Sequence, residues 1–272
     1  LDKPTEVDDE MKIRLEPNII SGNDVLTVRN LSKSFGDTHL FAGVDMDIQR
    51  GERVAIIGNN GTGKTTLLNM LAGLDNDYDG SIAYPATTTL SFMFQEPRLM
   101  PWLSVEDNIR LVLDAPQRQA DSQRFARMEQ LLTDMALEDF RHRFPTQLSG
   151  GMKRRAALVR AFVTEPGLLL MDEPFQSLDE PTAQGLRHLL LQLWEKNRPT
   201  VVLVTHNLNE ALLLADRILF LSARPAQVIL DYTVPLARPR PLAASALQPL
   251  QVELLQTHPE LLSGLLNPVA KE

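Results

Sequence analysis

Val54-Ala55-Ile56-Ile57-Gly58-Asn59-Asn60-Gly61-Thr62-Gly63-Lys64-Thr65-Thr66 decides the fold. The apolar run predicts a buried strand, and Gly58 to Thr66 is a complete G-x-x-x-x-G-K-[ST] phosphate loop directly behind it. The glycines let the backbone wrap a polyphosphate, and the helix begun at Lys64 offers unpaired N–H groups and the positive end of its dipole. In this pattern Lys64 reaches the β- and γ-phosphates and the Thr65 hydroxyl is a ligand for Mg²⁺.

Outward from the loop, short apolar runs at 25–29 and 44–48 read as strands, divided by the turn signals Phe35-Gly36-Asp37 and Arg50-Gly51-Glu52. Helix is expected from 64 to Gly73, then a strand from Thr88 to Phe94. From 104 to about 163 the pattern becomes helical, with Ser104-Val105-Glu106-Asp107 as an N-cap and apolar residues at 125, 128, 131, 132 and 135. Buried-strand runs at 168–171 and 200–204 bracket a helix near 180–197, so strands and helices alternate as in a mostly parallel α/β sheet.

The run Leu168-Leu169-Leu170-Met171 ends in Asp172-Glu173. A central strand that stops at two carboxylates suits the edge of a nucleotide site, with Asp172 as Mg²⁺ partner and Glu173 as general base toward water.

The 272 residues carry 43% hydrophobic composition, enough for a sizeable core. A net charge of −8 argues against nucleic-acid binding. No cysteine is present, which excludes disulfides and thiolate metal sites. The apolar runs are far shorter than the roughly 20 residues that cross a bilayer, so at a membrane a partner must do the spanning. The polar start, Leu1 to Pro4, shows no signal peptide, and without an initiating Met a processed or partial chain is expected.

Leu148-Ser149-Gly150-Gly151-Met152 precedes a helix and lies upstream of the acidic strand. With this motif in place the chain resembles the ATP-binding-cassette ATPases. Their order is phosphate loop, glutamine loop, LSGG signature, acidic strand, D-loop and switch histidine. Here the members are Gly58 to Thr66, Gln95, Leu148 to Gly151, Met171 to Glu173, Ser177-Leu178-Asp179, and His206. The resemblance implies an α/β P-loop fold with a RecA-like, mostly parallel core, an antiparallel β subdomain and a helical subdomain at about 98–160. The cassette would occupy 24–224, after an acidic, flexible leader at 1–23 and before a Pro-rich linker and helical extension at 225–272.

It also implies ATP and Mg²⁺, and a homodimer. In that pair Ser149, Gly150 and Gly151 of one chain close on the γ-phosphate held by the other, and Asp179 is counted with them among the nucleotide-binding residues. His206 would hold Glu173 and the water in register, and Gln95 would reach the metal or the water. Phe35 either stacks on adenine or is a core or turn residue.

Phe94 to Trp102, Leu212 to Arg217 and Leu221 to Pro225 resemble importer ATPases for nitrate, sulfonates and taurine. That likeness implies transmembrane permease subunits, an extracytoplasmic solute-binding protein and a peripheral place on the cytoplasmic membrane face. Met100 and Trp102 either anchor the permease or pack inside. An exporter or lipid-transport ATPase would share the catalytic residues, and a soluble non-transport cassette is a third alternative. The chain departs from the pattern at Met152 and Arg154, where Gln is common, and at Gln176, where Gly is more usual in that importer group. The segment from Gly80 to Phe94 is short.

Overall fold

The computed structural model describes residues 23–114, 123–240 and 244–261. The expected leader, up to residue 22, and the end of the helical extension expected within 225–272 lie outside them.

Two sheets form the frame. A six-stranded sheet has the order β5-β6-β7-β3-β8-β9. Its strands are β3 (Arg53–Ile57), β5 (Leu90–Met93), β6 (Leu168–Asp172), β7 (Thr200–Thr205), β8 (Arg217–Leu221) and β9 (Val228–Thr233). All pairs are parallel except β8 with β9. A three-stranded antiparallel sheet, β2-β1-β4, uses β1 (Asp24–Phe35), β2 (Thr38–Gln49) and β4 (Asp79–Ala83).

Strand periodicity builds two cores from the same apolar runs. Leu168 and Leu170 face one cluster, with Val202, Val204, Val54 and Ile56, against Leu67, Leu68 and Leu71 of α1 (Lys64–Leu71). Leu169, Met171, Leu203, Ala55 and Ile57 face the other. There they meet α4 (Gly150–Phe162), α5 (Glu180–Asn197) and α6 (Leu208–Leu214), while α2 (Val105–Leu113) and α3 (Arg124–Asp134) extend that core. Continuous burial of β6 and β7 follows, as for parallel strands covered on both faces.

Both expected β runs are longer than the apolar pattern, because the Phe35↔Thr38 pair closes a hairpin that zips each to 12 residues. The helix after the phosphate loop ends as predicted, with Gly73 at φ 69 and the amide of Leu74 returning to the Asn69 carbonyl.

The C-terminal extension begins with a strand. β9 pairs antiparallel with β8 as an edge strand, and the prolines at 235, 239 and 241 come after it. Arg240, 7% exposed, then donates to the carbonyls of Leu212, Ala215 and Leu236, and Arg238 donates to Leu214 at 2.7 Å. These cations satisfy the last carbonyls of α6 and suit the negative end of its dipole. α7 (Ala244–Thr257) packs on α6 and buries Leu247 and Leu254.

Arg240→Met keeps the apolar stem and removes the donors that Arg240 gives to Leu212, Ala215 and Leu236. It should lower stability by about 2–4 kcal/mol in chemical denaturation, the cost of orphaning buried carbonyls.

Candidate functional site

Register places the site. Ile57 pairs with Thr205 and Asp172 with Val204, so β3, β7 and β6 finish together at one edge of the sheet. The residues that follow, Gly58, His206 and Glu173, therefore emerge side by side. The Glu173 amide donates to the Val204 carbonyl at 2.9 Å, and its backbone sits at φ 41, a left-handed conformation costly for a side-chain-bearing residue.

Within the loop, Lys64 Nζ donates to the carbonyls of Gly58 at 2.7 Å and Asn59 at 2.9 Å, and Thr62 Oγ1 donates to Asn59 at 2.9 Å. Burial holds the Lys64 ammonium below the ordinary lysine range, opposed by the charges of Glu173 and Asp172. Gly63 caps α1 at φ 93 with no side-chain cap, leaving the first N–H groups of the helix for an anion. A Cβ there would lie 2.6 Å from Leu40 Cδ2 and 2.8 Å from Phe41 Cζ, so glycine is required twice over.

Asp172 is 2% exposed, and burial raises its pKa against the opposing hydrogen bond from Thr65 and the charge of Lys64. Its Oδ1 is buried without a hydrogen-bond partner. A hydroxyl beside an unsatisfied carboxylate oxygen fits a hard divalent cation. Among the described residues no three His, Cys, Asp or Glu gather to hold a metal alone. A cation here would also need phosphate oxygens, as Mg²⁺ does in nucleotide sites.

Glu173 Oε2 lies 3.0 Å from His206 Nδ1. The Gln95 amide nitrogen donates to Gln176 Oε1. Glu173, Gln95 and Gln176 line a cavity of about 590 Å³ whose walls also include Phe35, Lys64 and Arg224. His206 lies at the adjoining pocket, which shares Glu173 and Gln176. Phe35 is 56% exposed and lines the cavity rather than the core, with the Lys33 ammonium 4.9 Å from its ring centre.

Ser149, Gly150, Gly151 and Asp179 do not line the cavity. Ser149 caps α4, accepting from the Met152 amide at 3.2 Å, and Asp179 caps α5, accepting from the Thr182 amide at 3.2 Å. Thr182 hydrogen bonding keeps the exposed Asp179 carboxyl below the usual range. Ser149 and Gly150 are exposed, presenting the helix N-terminus outward.

The family model for ABC transporters matches residues 41–176. An aliphatic sulfonates import ATP-binding protein, SsuB 1, of Paracoccus denitrificans is 45% identical over 79% of this chain and 86% of its own length. The chain belongs to the ABC transporter family. A second SsuB 2 protein, of Pseudomonas savastanoi, is 42% identical over 88% of this chain and 85% of its own. Among solved structures, a dimeric ATP-binding cassette bound to ADP and Pi superposes with TM-score 0.67 at 28% identity, covering 78% of this chain and 100% of that one. The protein is accordingly an ABC ATPase.

Three residues gained a place that sequence reasoning did not assign. Arg224 Nε donates to the Gly61 carbonyl and lies over the phosphate loop. Arg154 bridges the carbonyls of Phe94 and Gln176 at 3.3 and 3.2 Å, and Gln176 meets Gln95. The departures from the family pattern had marked two of them, while Arg224 lies in the Leu221 to Pro225 stretch, whose resemblance gave it no role at the phosphate loop.

Gly63→Ala should reduce ATP affinity at least about ten-fold in a binding titration, because the strained conformation and the Leu40 contact both oppose it.

Proposed function

We propose that this chain is the ATP-hydrolysing subunit of an importer for sulfonate-type solutes. It would work as a pair docked on transmembrane permease subunits at the cytoplasmic face, with an extracytoplasmic solute-binding protein delivering the solute. The relatives named as aliphatic sulfonates import proteins support the solute class, since each is matched along most of its length. The observation that carries the chemistry is the Glu173–His206 pair beside the phosphate loop.

In this reading Lys64 exchanges its loop carbonyls for β- and γ-phosphate oxygens. Thr65, Asp172 and Gln95 would hold Mg²⁺, which supplies charge neutralisation across the phosphates. Glu173 accepts the proton of the attacking water, and His206, 3.0 Å away, fixes the carboxylate that does so. Phe35 offers the adenine a stacking face. The N-terminus of α4 at Ser149, Gly150 and Gly151 would supply its N–H groups to the γ-phosphate of a second chain, with Asp179 at that same junction.

Trp102 supports the docking role. It is 70% exposed on a segment held by Asn108, whose side chain accepts from the Met100 amide at 2.7 Å and donates to the Met100 carbonyl at 3.2 Å. A large aromatic held outward on a fixed backbone is the kind of residue that anchors an interface.

Glu173→Gln should retain ATP binding and ATP-dependent dimerisation while turnover falls by roughly 10²–10⁴-fold; near-normal hydrolysis would remove Glu173 as the base. Replacing Met100 and Trp102 together by Ala should abolish co-purification with the permease and leave ATP affinity unchanged.

A further inference from the structure

Gln95 and Gln176 face each other at the cavity, and their contact has a direction. The Gln95 amide nitrogen donates to Gln176 Oε1, so the end of the Gln95 amide left uncommitted by this bond is its carbonyl oxygen. Only that end can ligate a cation, because an amide nitrogen has no lone pair to offer. An untethered glutamine can present either end with little energetic difference.

One guanidinium fixes the backbone on both sides of the contact. Arg154, 6% exposed on α4, donates to the carbonyl of Phe94, the residue before Gln95, and to the carbonyl of Gln176 itself. The Gln176 amide is tied in turn to the Glu173 carbonyl at 3.1 Å. Gln176 and Arg154 are two of the positions at which this chain departs from the cassette pattern, and they meet at the same place. A glycine at 176 could not make the side-chain bond.

We propose that Gln176 is a positioning residue that orients the Gln95 amide with its oxygen toward the metal, within a frame set by Arg154. This rests on the reading of Gln95 as a Mg²⁺ ligand. Gln176 acts through Gln95 and has no separate hold on the nucleotide.

The test is a calorimetric titration of the full chain with the non-hydrolysable analogue AMP-PNP, with Mg²⁺ and with EDTA. The quantity read is the factor by which Mg²⁺ raises affinity. Gln176→Leu keeps the side-chain volume and removes the acceptor, and should reduce that factor by about five-fold, as expected for one hydrogen bond. The affinity in EDTA should stay the same. Gln95→Ala should reduce the factor at least as much, and Gln176→Leu should add nothing on a Gln95→Ala background. Gln176→Gly serves as the second variant if the leucine protein does not fold, with the same expectation.

An unchanged factor in Gln176→Leu, with Gln95→Ala impaired, would overturn the orienting role while leaving Gln95 as ligand. A Gln176→Leu effect that persists on the Gln95→Ala background would mean direct action on the nucleotide and would also overturn it. A Gln95→Ala protein with a normal Mg²⁺ factor would instead remove the ligand reading beneath the proposal.

Discussion

The registered ends of β3, β6 and β7 are the constraint on which the site depends. Parallel pairing aligns Ile57 with Thr205 and Asp172 with Val204. The phosphate loop, the acidic pair and His206 then follow from three chain segments distant in sequence without any further device. The pairing is itself secured by burial on both sheet faces, since alternate residues of one apolar run feed two separate cores. A slip of one residue would exchange the two sets and displace all three chemical groups at once.

Around that edge and behind it, several arginines donate to backbone carbonyls. Arg154 and Arg160 on α4 donate to Phe94, Gln176, Pro97 and Arg98, tying the helix behind the signature to the glutamine loop. Arg238 and Arg240 close the far end of α6, the helix that starts just after His206. Burial lowers the pKa of Arg154, Arg160 and Arg240, yet a guanidinium stays charged, so each forms charge-assisted bonds in a partly dry setting. Such bonds tie the helix that follows the signature to the backbone on either side of Gln95.

Much of this was legible in the chain itself. The phosphate loop and the acidic strand end follow from residue types whose chemistry demands their spacing, His206 came only with the family resemblance, and the parallel strands follow from apolar runs too dense for a half-exposed sheet. β4 escaped because Asp79-Gly80-Ser81 carries polar residues on an edge strand, and β9 because its half-exposed alternation stands amid prolines. The short α6 has too few turns to establish a period. Whether Phe35 and Trp102 were core or surface was a question of tertiary placement, and both are exposed. Arg224 and the Gln95–Gln176 contact arise from long-range approach, which no local pattern encodes.

In the proposed reading, the exposed Ser149 and Gly150 at the start of α4, which do not line the cavity, make one chain half of a catalytic centre. The most direct measurement is complementation of ATP hydrolysis between two inactive proteins, Lys64→Ala and Ser149→Arg, assayed alone and mixed. If each site joins the phosphate loop of one chain to the signature of the other, the mixed dimer holds one site with both halves intact, and mixing restores turnover. If each site is complete within a chain, the mixture stays as inactive as its components, and the account of paired half-sites is contradicted.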